Sequence, residues 1–503
     1  MDAQANGSKP EPGRGNIWIY SEEGFIRFEA LLRKHGLHQK KIWALRTEAF
    51  GTLVTAEYKR PLRHRFSFIG GLLYAILAWF RARRNPVPAL RLPTAFVLSV
   101  AGDSSKEMDM ARSLVPELLR FGQSVAILHD IPSGKSNALA EEFPRHYHRL
   151  PEYAIYRVSG RMFLASLFDA LGMTGSLLLL AVDAPGIVPC LIRNGGLLLL
   201  AFLEQSLAED FLSRCLARDT LRGVAMVTEG TPFARALVNC AHRLNAQAFQ
   251  FLHGFPHFLH AVGDSDHVFC FSSVERGIFL SYGWPEASVH ACGHCRGDIV
   301  RKDIASRRKI MGLDGGLRIL FAEQGVEGRY DPDCYRQTVS CVFAGALKAG
   351  LTTNEFRIRI HPRSDRKRFE EVAKACGFQN VGNYMSQHPL ADDLAWSNVV
   401  ATACSTMAVE AAWADACLIW LPVGSFVFDI RQQLVAAGYG IEAANAGEFA
   451  QWLGRLRDPV ERQAAAGKLQ TAARRLAVYS PTAVRDSVNL MLNPGLRRAD
   501  CGR

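Results

Sequence analysis

Short uncharged apolar runs recur along the chain, each closed by a polar turn and followed by a stretch of helical spacing. Ala95–Val100, Ser124–Leu128, Leu177–Val182, Val224–Thr228, Ala246–Leu252, His267–Phe271 and Ser288–Ala291 read as buried strands of a first series. A second series comprises Leu317–Ala322, the alternating run Arg357–Pro362, the run from Asn398 to Ala403, and Leu418–Leu421. Helical patterns lie between them, for example up to Leu119, at Phe233–Leu244 and at Asp333–Ala349. Strands alternating with helices predict parallel sheets covered on both faces. The fold class expected is therefore α/β, with two Rossmann-like parallel-sheet lobes around a cleft and a helical N-terminal extension. Pro86, Pro88 and Pro93 mark the first boundary, giving an extension over 1–92, a first α/β lobe over 93–296 and a second over 297–480. Residues 481–503 are expected to carry a helix, Pro481–Leu492, that crosses back onto the first lobe. Ile187–Leu203 is strongly apolar but contains Pro189, Arg193, Asn194, Gly195 and Gly196, which favours a buried helix or broken hairpin over a membrane span.

One apolar run stands apart. Phe66–Phe80 carries no charge and is flanked by Lys59, Arg60, Arg63, His64 and Arg65 before it and by Arg81, Arg83 and Arg84 after it. It is short for a span, and basic residues at both ends oppose a simple topology, so the pattern suits a helix lying in an anionic membrane interface. A net charge of +11 fits that partner and fits phosphate-bearing substrates, while no nucleic-acid-binding motif is present. At 49% hydrophobic and 21% charged residues the chain is a foldable globular one, and 503 residues exceed a single core. The polar start Met1–Gly15 has no signal-peptide pattern, and the 12 cysteines are scattered in apolar stretches. Both point to the cytoplasm, peripheral at the inner face of its membrane. Cys292 and Cys295, interleaved with His290 and His294, have no second ligand pair nearby, so neither a metal nor a cofactor is expected.

Chemistry is sought at the carboxyl ends of the strands, where open α/β sheets bind ligands. His361-Pro362 ends one strand, and Ser405-Thr406 lies between another strand and a helix start, where hydroxyls and N–H groups favour a phosphate. In the first lobe, Asp103, Asp183, Glu229 and His253 end strands and are placed to accept a proton from an attacking hydroxyl. No G-x-G-x-x-G is present to support a dinucleotide site, and Asp264-x-Asp266 and Asp331-x-Asp333 fall in loops.

In this order the features resemble those of GT-B glycosyltransferases that build bacterial capsule and surface carbohydrate, the bacterial sialyl- and polysialyltransferases among them. Glu229-Gly230 is similar to the latter half of an acidic-acidic-Gly motif, His361-Pro362 to an HP motif, and Ser405-Thr406 to a later Ser/Thr motif. Gln250–Gly254 resembles the strand end of surface-polysaccharide enzymes, and Val289–Asp298 their crossing between lobes. The resemblance implies a GT-B-like fold and an inverting, metal-independent sugar transfer. Its donor would be a nucleotide-sugar, CMP-activated acidic sugars ahead of UDP-sugars, and its acceptor a surface polysaccharide or lipid-linked glycan in capsule, lipopolysaccharide or O-antigen synthesis. It assigns nucleotide contacts to His361, Pro362, Ser405 and Thr406, with Arg359 and Glu410 from the same stretches. The base would be Glu229, but position 228 is Thr where the family has an acid, which keeps Asp183 and His253 in contention. A nucleotide-sugar 2-epimerase, a glycerophosphotransferase, or a non-catalytic partner in polysaccharide assembly are the alternatives.

Overall fold

The computed structural model describes residues 22–39, 46, 49, 68–84, 92–100, 105–129, 138–150, 154–185, 187–227, 229, 231–252, 254–255, 263–312, 315–324, 332–361, 364, 366–421 and 430–494. Asp103, His253 and Pro362 lie outside them. The chain divides into two compact units, one of residues 1–91, 151–216 and 230–240 and one of the remainder.

The larger unit holds both sheets. Its first is seven-stranded, with β1 Phe96–Val100, β2 Val125–His129, β3 Tyr147–Arg149, β4 Gly223–Met226, β5 Gln247–Phe251, β6 His267–Cys270 and β7 Val289–Ala291 in the order β3-β2-β1-β4-β5-β6-β7. The second contains β8 Ile319–Ala322, β9 Phe356–Arg359, β10 Val399–Thr402, β11 Cys417–Trp420 and β12 Ile441–Glu442 in the order β12-β11-β10-β8-β9. Every neighbouring pair is parallel. The two Rossmann-like parallel-sheet lobes expected from the sequence are what the structure contains. Full burial of β1, β2, β4, β8, β10 and β11 explains why these strands read as unbroken apolar runs.

Each strand order reverses once. The chain runs from β1 outward through β2 to β3, then returns to place β4 on the other side of β1. It runs from β8 to β9, then returns to place β10 on the other side of β8. Connections leave to opposite sides of each adjacent pair, so crevices open at the carboxyl ends of β1/β4 and of β8/β10.

A shared core joins the lobes: Val268, Phe271 and Phe279 of the first pack in one cluster with Val400, Trp413 and Trp420 of the second. The helix Ala483–Leu492 returns to the first lobe, where Val488, Leu490 and Met491 are buried with Phe96 and Leu98 of β1.

The smaller unit is helical, and here one strand assignment fails. Leu177–Val182 is a 3-10 helix continuing the α-helix Gly160–Ser176, with Leu177 and Leu180 buried and Leu178, Leu179 and Val182 exposed. That three-residue rhythm belongs to a 3-10 turn; a short apolar run alone does not separate the two states. The apolar stretch from Ile187 is a helix, extending 29 residues to Cys215. The helix Phe68–Arg84 crosses it so closely that a Cβ on Gly71 would lie 2.6 Å from the Gly196 backbone. Trp79 stacks on Phe163 at 5.1 Å and donates its indole N–H to the Val158 carbonyl at 3.2 Å.

Candidate functional site

The carboxyl end of the second sheet gathers polar groups from three adjacent strands. Glu323 follows β8, His361 stands just past β9, and Ser405 and Thr406 turn the chain from β10 into the helix Met407–Trp413. Glu323 is the hub. Buried at 3% exposure, it accepts the Tyr335 hydroxyl on Oε1 at 3.0 Å; on Oε2 it accepts the His361 backbone N–H at 2.8 Å and the Ser364 hydroxyl at 2.5 Å. Burial pushes its carboxyl above the ordinary range, against the pull of these donors. The carboxylate thus fixes the backbone that presents His361.

Across the crevice, the Thr402 hydroxyl donates to the Ala322 carbonyl at 2.9 Å and accepts the Ser405 N–H at 3.3 Å, stitching β10 to β8. The Ser405 hydroxyl accepts the Met407 N–H at 3.2 Å, an ordinary helix-start bond. Ser405 and Thr406 are half-buried. Gln324, next to Glu323, holds a buried side-chain oxygen with no donor among the described residues.

The first lobe reaches this place from β5. A Cβ on Gly254 would stand 3.7 Å from Thr406 Cγ2, and the Phe255 ring lies 6.5 Å from that of Trp420. The strand end singled out at Gln250–Gly254 therefore meets the Ser405-Thr406 turn.

Other candidates sit elsewhere. Arg359 turns to a second cluster, donating to the fully buried Asp393 at 2.8 Å and to the His388 carbonyl at 2.9 Å. Glu410 is 1% exposed and accepts from Arg296 Nη2. Arg296 also approaches Asp109 at 3.4 Å and lies over the Trp413 ring at 5.4 Å. Burial raises the Asp109 carboxyl, and the Arg296 guanidinium is the strongest influence pulling it back.

Glu229 stands at the first sheet's reversal point, past β4, and is 2% exposed. Its Oε2 accepts the Asp264 N–H at 2.8 Å and its Oε1 the Ser265 N–H at 2.7 Å. A Cβ at residue 263 would fall 2.7 Å from Oε1, so the loop closes on this carboxylate only with Gly263. Asp183 is corrected outright as a strand-end acid. It belongs to the helical unit, ends the 3-10 helix, and meets Lys34 Nζ and His35 Nε2, each at 2.7 Å. Lys34, then His35, hold its carboxyl below the usual range. Among the described residues no cluster of His, Cys, Asp and Glu is arranged to hold a metal ion.

Sequence reasoning missed Glu323 as a site residue. The signal is an acid directly after the apolar run Ile319–Ala322, the same placement that Glu229 has after Val224–Thr228 in the first lobe.

No family model and no curated protein matches the chain. Solved structures resemble it in fold. The UDP-GlcNAc 2-epimerase of Neisseria meningitidis bound to UDP-GlcNAc is 13% identical, with 79% of this chain and 99% of that one covered and a TM-score of 0.48. MurG of Acinetobacter baumannii is 14% identical, covering 79% and 99% with a TM-score of 0.41. The wall teichoic acid polymerase TagF is 10% identical, covering 90% and 98% with a TM-score of 0.45. At such identities and TM-scores these likenesses decide nothing about the reaction, and any functional reading stands on the residues of the site.

Proposed function

We propose that the chain is a glycosyltransferase of GT-B type that takes a nucleotide-sugar as donor. The observation that carries this is the crevice between β8 and β10. Ser405 and Thr406 stand there at the end of β10, with Gly254 of the other lobe against Thr406, and His361 stands at the end of β9 on the far side of β8, held through Glu323. Two hydroxyls and an imidazole suit a phosphate rather than an apolar ligand.

In this reading an acceptor hydroxyl attacks the anomeric carbon, a new C–O bond forms, and the bond to the nucleotide phosphate breaks with inversion. His361, Ser405 and Thr406 stabilise the charge left on the departing phosphate. The acceptor's proton passes to a group at the first sheet's carboxyl end. Glu229 and His253 are the two groups retained from the sequence, and the paired oxygens of Glu229 argue for a loop-holding role beside any catalytic one. The motif resemblance puts a CMP-activated acidic sugar first among donors. A surface polysaccharide or lipid-linked glycan is the acceptor class.

The test is thermal stabilisation by cytidine and uridine nucleotides in wild type and His361→Ala. A ligand at a hundredfold excess over its Kd stabilises by about 2.7 kcal/mol. The expected result is a shift with CMP or CDP that shrinks in His361→Ala and in Ser405→Ala/Thr406→Ala. A wild-type protein that no nucleotide shifts overturns the reading.

A further inference from the structure

The helical unit carries an apolar surface that the donor site does not use. Along the helix Phe68–Arg84 the exposed large apolar side chains are Ile69, Leu73, Tyr74, Leu77 and Phe80, one stripe at helical spacing, while Ala75, Ala78 and Ala82 are buried. Along Gly160–Val182, Leu164, Phe168, Leu178, Leu179 and Val182 are exposed, and Phe163, Leu167, Ala170, Leu177 and Leu180 are buried. Phe168 is 69% and Ile69 70% exposed. The two helices meet at Trp79 and Phe163, so the stripes adjoin. A solvent-facing apolar area of this extent, built from large aliphatic and aromatic groups, marks a contact surface.

Charge indicates what covers it. The stripes adjoin where Phe68–Arg84 ends and Gly160–Val182 begins, and there exposed Arg81 and Arg161 flank them. An apolar face with basic residues at its edge is complementary to an anionic lipid surface.

Gly160–Val182 is the one helix among the described residues long and apolar enough to cross a bilayer, with 39% of its apolar window buried. Three observations place it in the interface instead. Its inner face is committed to protein packing. Asp169 is exposed midway along it, where a span would carry it into hydrocarbon. The long helix Ile187–Cys215 beneath it holds Glu204, which accepts from Tyr156 at 3.2 Å, and buried Glu209, which accepts from Gln205 at 3.0 Å. The partner helix Phe68–Arg84 has 17 residues, about 26 Å, and also falls short of a span.

We propose that Phe68–Arg84 and Gly160–Val182 together form a monotopic docking surface for an anionic lipid bilayer. Ile69, Leu73, Leu77, Phe80, Leu164 and Phe168 enter the acyl boundary, and Arg81 and Arg161 lie among the headgroups. The surface is independent of the nucleotide crevice, so either reading can fail without the other.

The test is flotation of the full chain with phosphatidylcholine vesicles, with and without phosphatidylglycerol. Wild type is expected to float with the anionic vesicles. Leu164→Asp/Phe168→Asp and Ile69→Asp/Leu73→Asp should each lower partitioning by roughly tenfold per residue. Arg81→Glu/Arg161→Glu should remove the preference for phosphatidylglycerol, at about fivefold per residue. All six positions are exposed, so circular dichroism melting should be unchanged. Wild type that floats with neither vesicle, or aspartate variants that float like wild type, overturn the proposal. A dimer seen by light scattering and dissolved by the aspartate variants also overturns it, since a second copy then covers the surface.

Discussion

The family resemblance places Glu410 on the nucleotide, and the geometry around it makes a different, measurable demand. The carboxylate is 1% exposed, and Arg296, 4% exposed, donates to it across the core shared by the lobes. Removing one member of a buried pair costs about 3–5 kcal/mol, because the survivor is left charged and dry. For Arg296→Met the full range applies, since Glu410 is left buried without its guanidinium while Asp109 keeps Arg112 at 3.3 Å. For Glu410→Leu the lower part applies: Arg296 keeps Asp109 at 3.4 Å and the face of Trp413 at 5.4 Å. The double variant removes both charges of the main pair and should recover much of the loss, giving a coupling of about 3 kcal/mol.

Urea unfolding followed by tryptophan fluorescence is the assay, since Trp413 lies against Arg296 and reports on this core. Helix Met407–Trp413 carries both Glu410 and the start of the Ser405-Thr406 turn's continuation, so nucleotide stabilisation should be measured on the same variants. Suppose Glu410→Leu unfolds within about 1 kcal/mol of wild type, adds to Arg296→Met without coupling, and abolishes the nucleotide shift. Glu410 would then be a ligand contact, and the structural account of the pair would be refuted.

Two further outcomes follow from buried groups. Glu275, sealed in the core while capping its helix, is pushed by burial from 4.5 up to about 8, against the pull of the Phe271 and Ser272 N–H groups. Across that window the folded chain holds a proton that the unfolded chain has released, so stability falls as pH rises, by up to about 1.4 kcal/mol per unit. Glu275→Gln should flatten the slope of unfolding free energy between about pH 5 and about pH 8, and an unchanged slope refutes this account. Gly71→Ala forces a methyl to within 2.6 Å of the Gly196 backbone, which cannot rotate away. It should cost about 1–3 kcal/mol and hasten proteolysis in Phe68–Arg84, whereas wild-type protease resistance would deny the close crossing.

The strands were legible in the sequence because parallel sheets bury both faces, and unbroken apolar runs such as Ile319–Ala322 and Val399–Thr402 follow from that alone. The short edge strands Tyr147–Arg149 and Ile441–Glu442 were not, since neither is fully buried and neither needs such a run. Leu177–Val182 shows the converse: six apolar residues satisfied the strand pattern while their burial followed a helical rhythm. The site was legible to the same depth. That ligands gather at strand carboxyl ends is a property of the sheet class, so His361, Ser405 and Glu229 could be placed on elements. Which ends are neighbours depends on strand order, and β8 beside β10 is set by a return crossing that no local pattern records. The acids make the point most sharply. Glu229 and Glu323 both follow apolar strands, yet one accepts two loop N–H groups and the other holds the backbone of His361. A sequence supplies a carboxylate and its address; what its oxygens already hold decides whether it positions the site or does its chemistry.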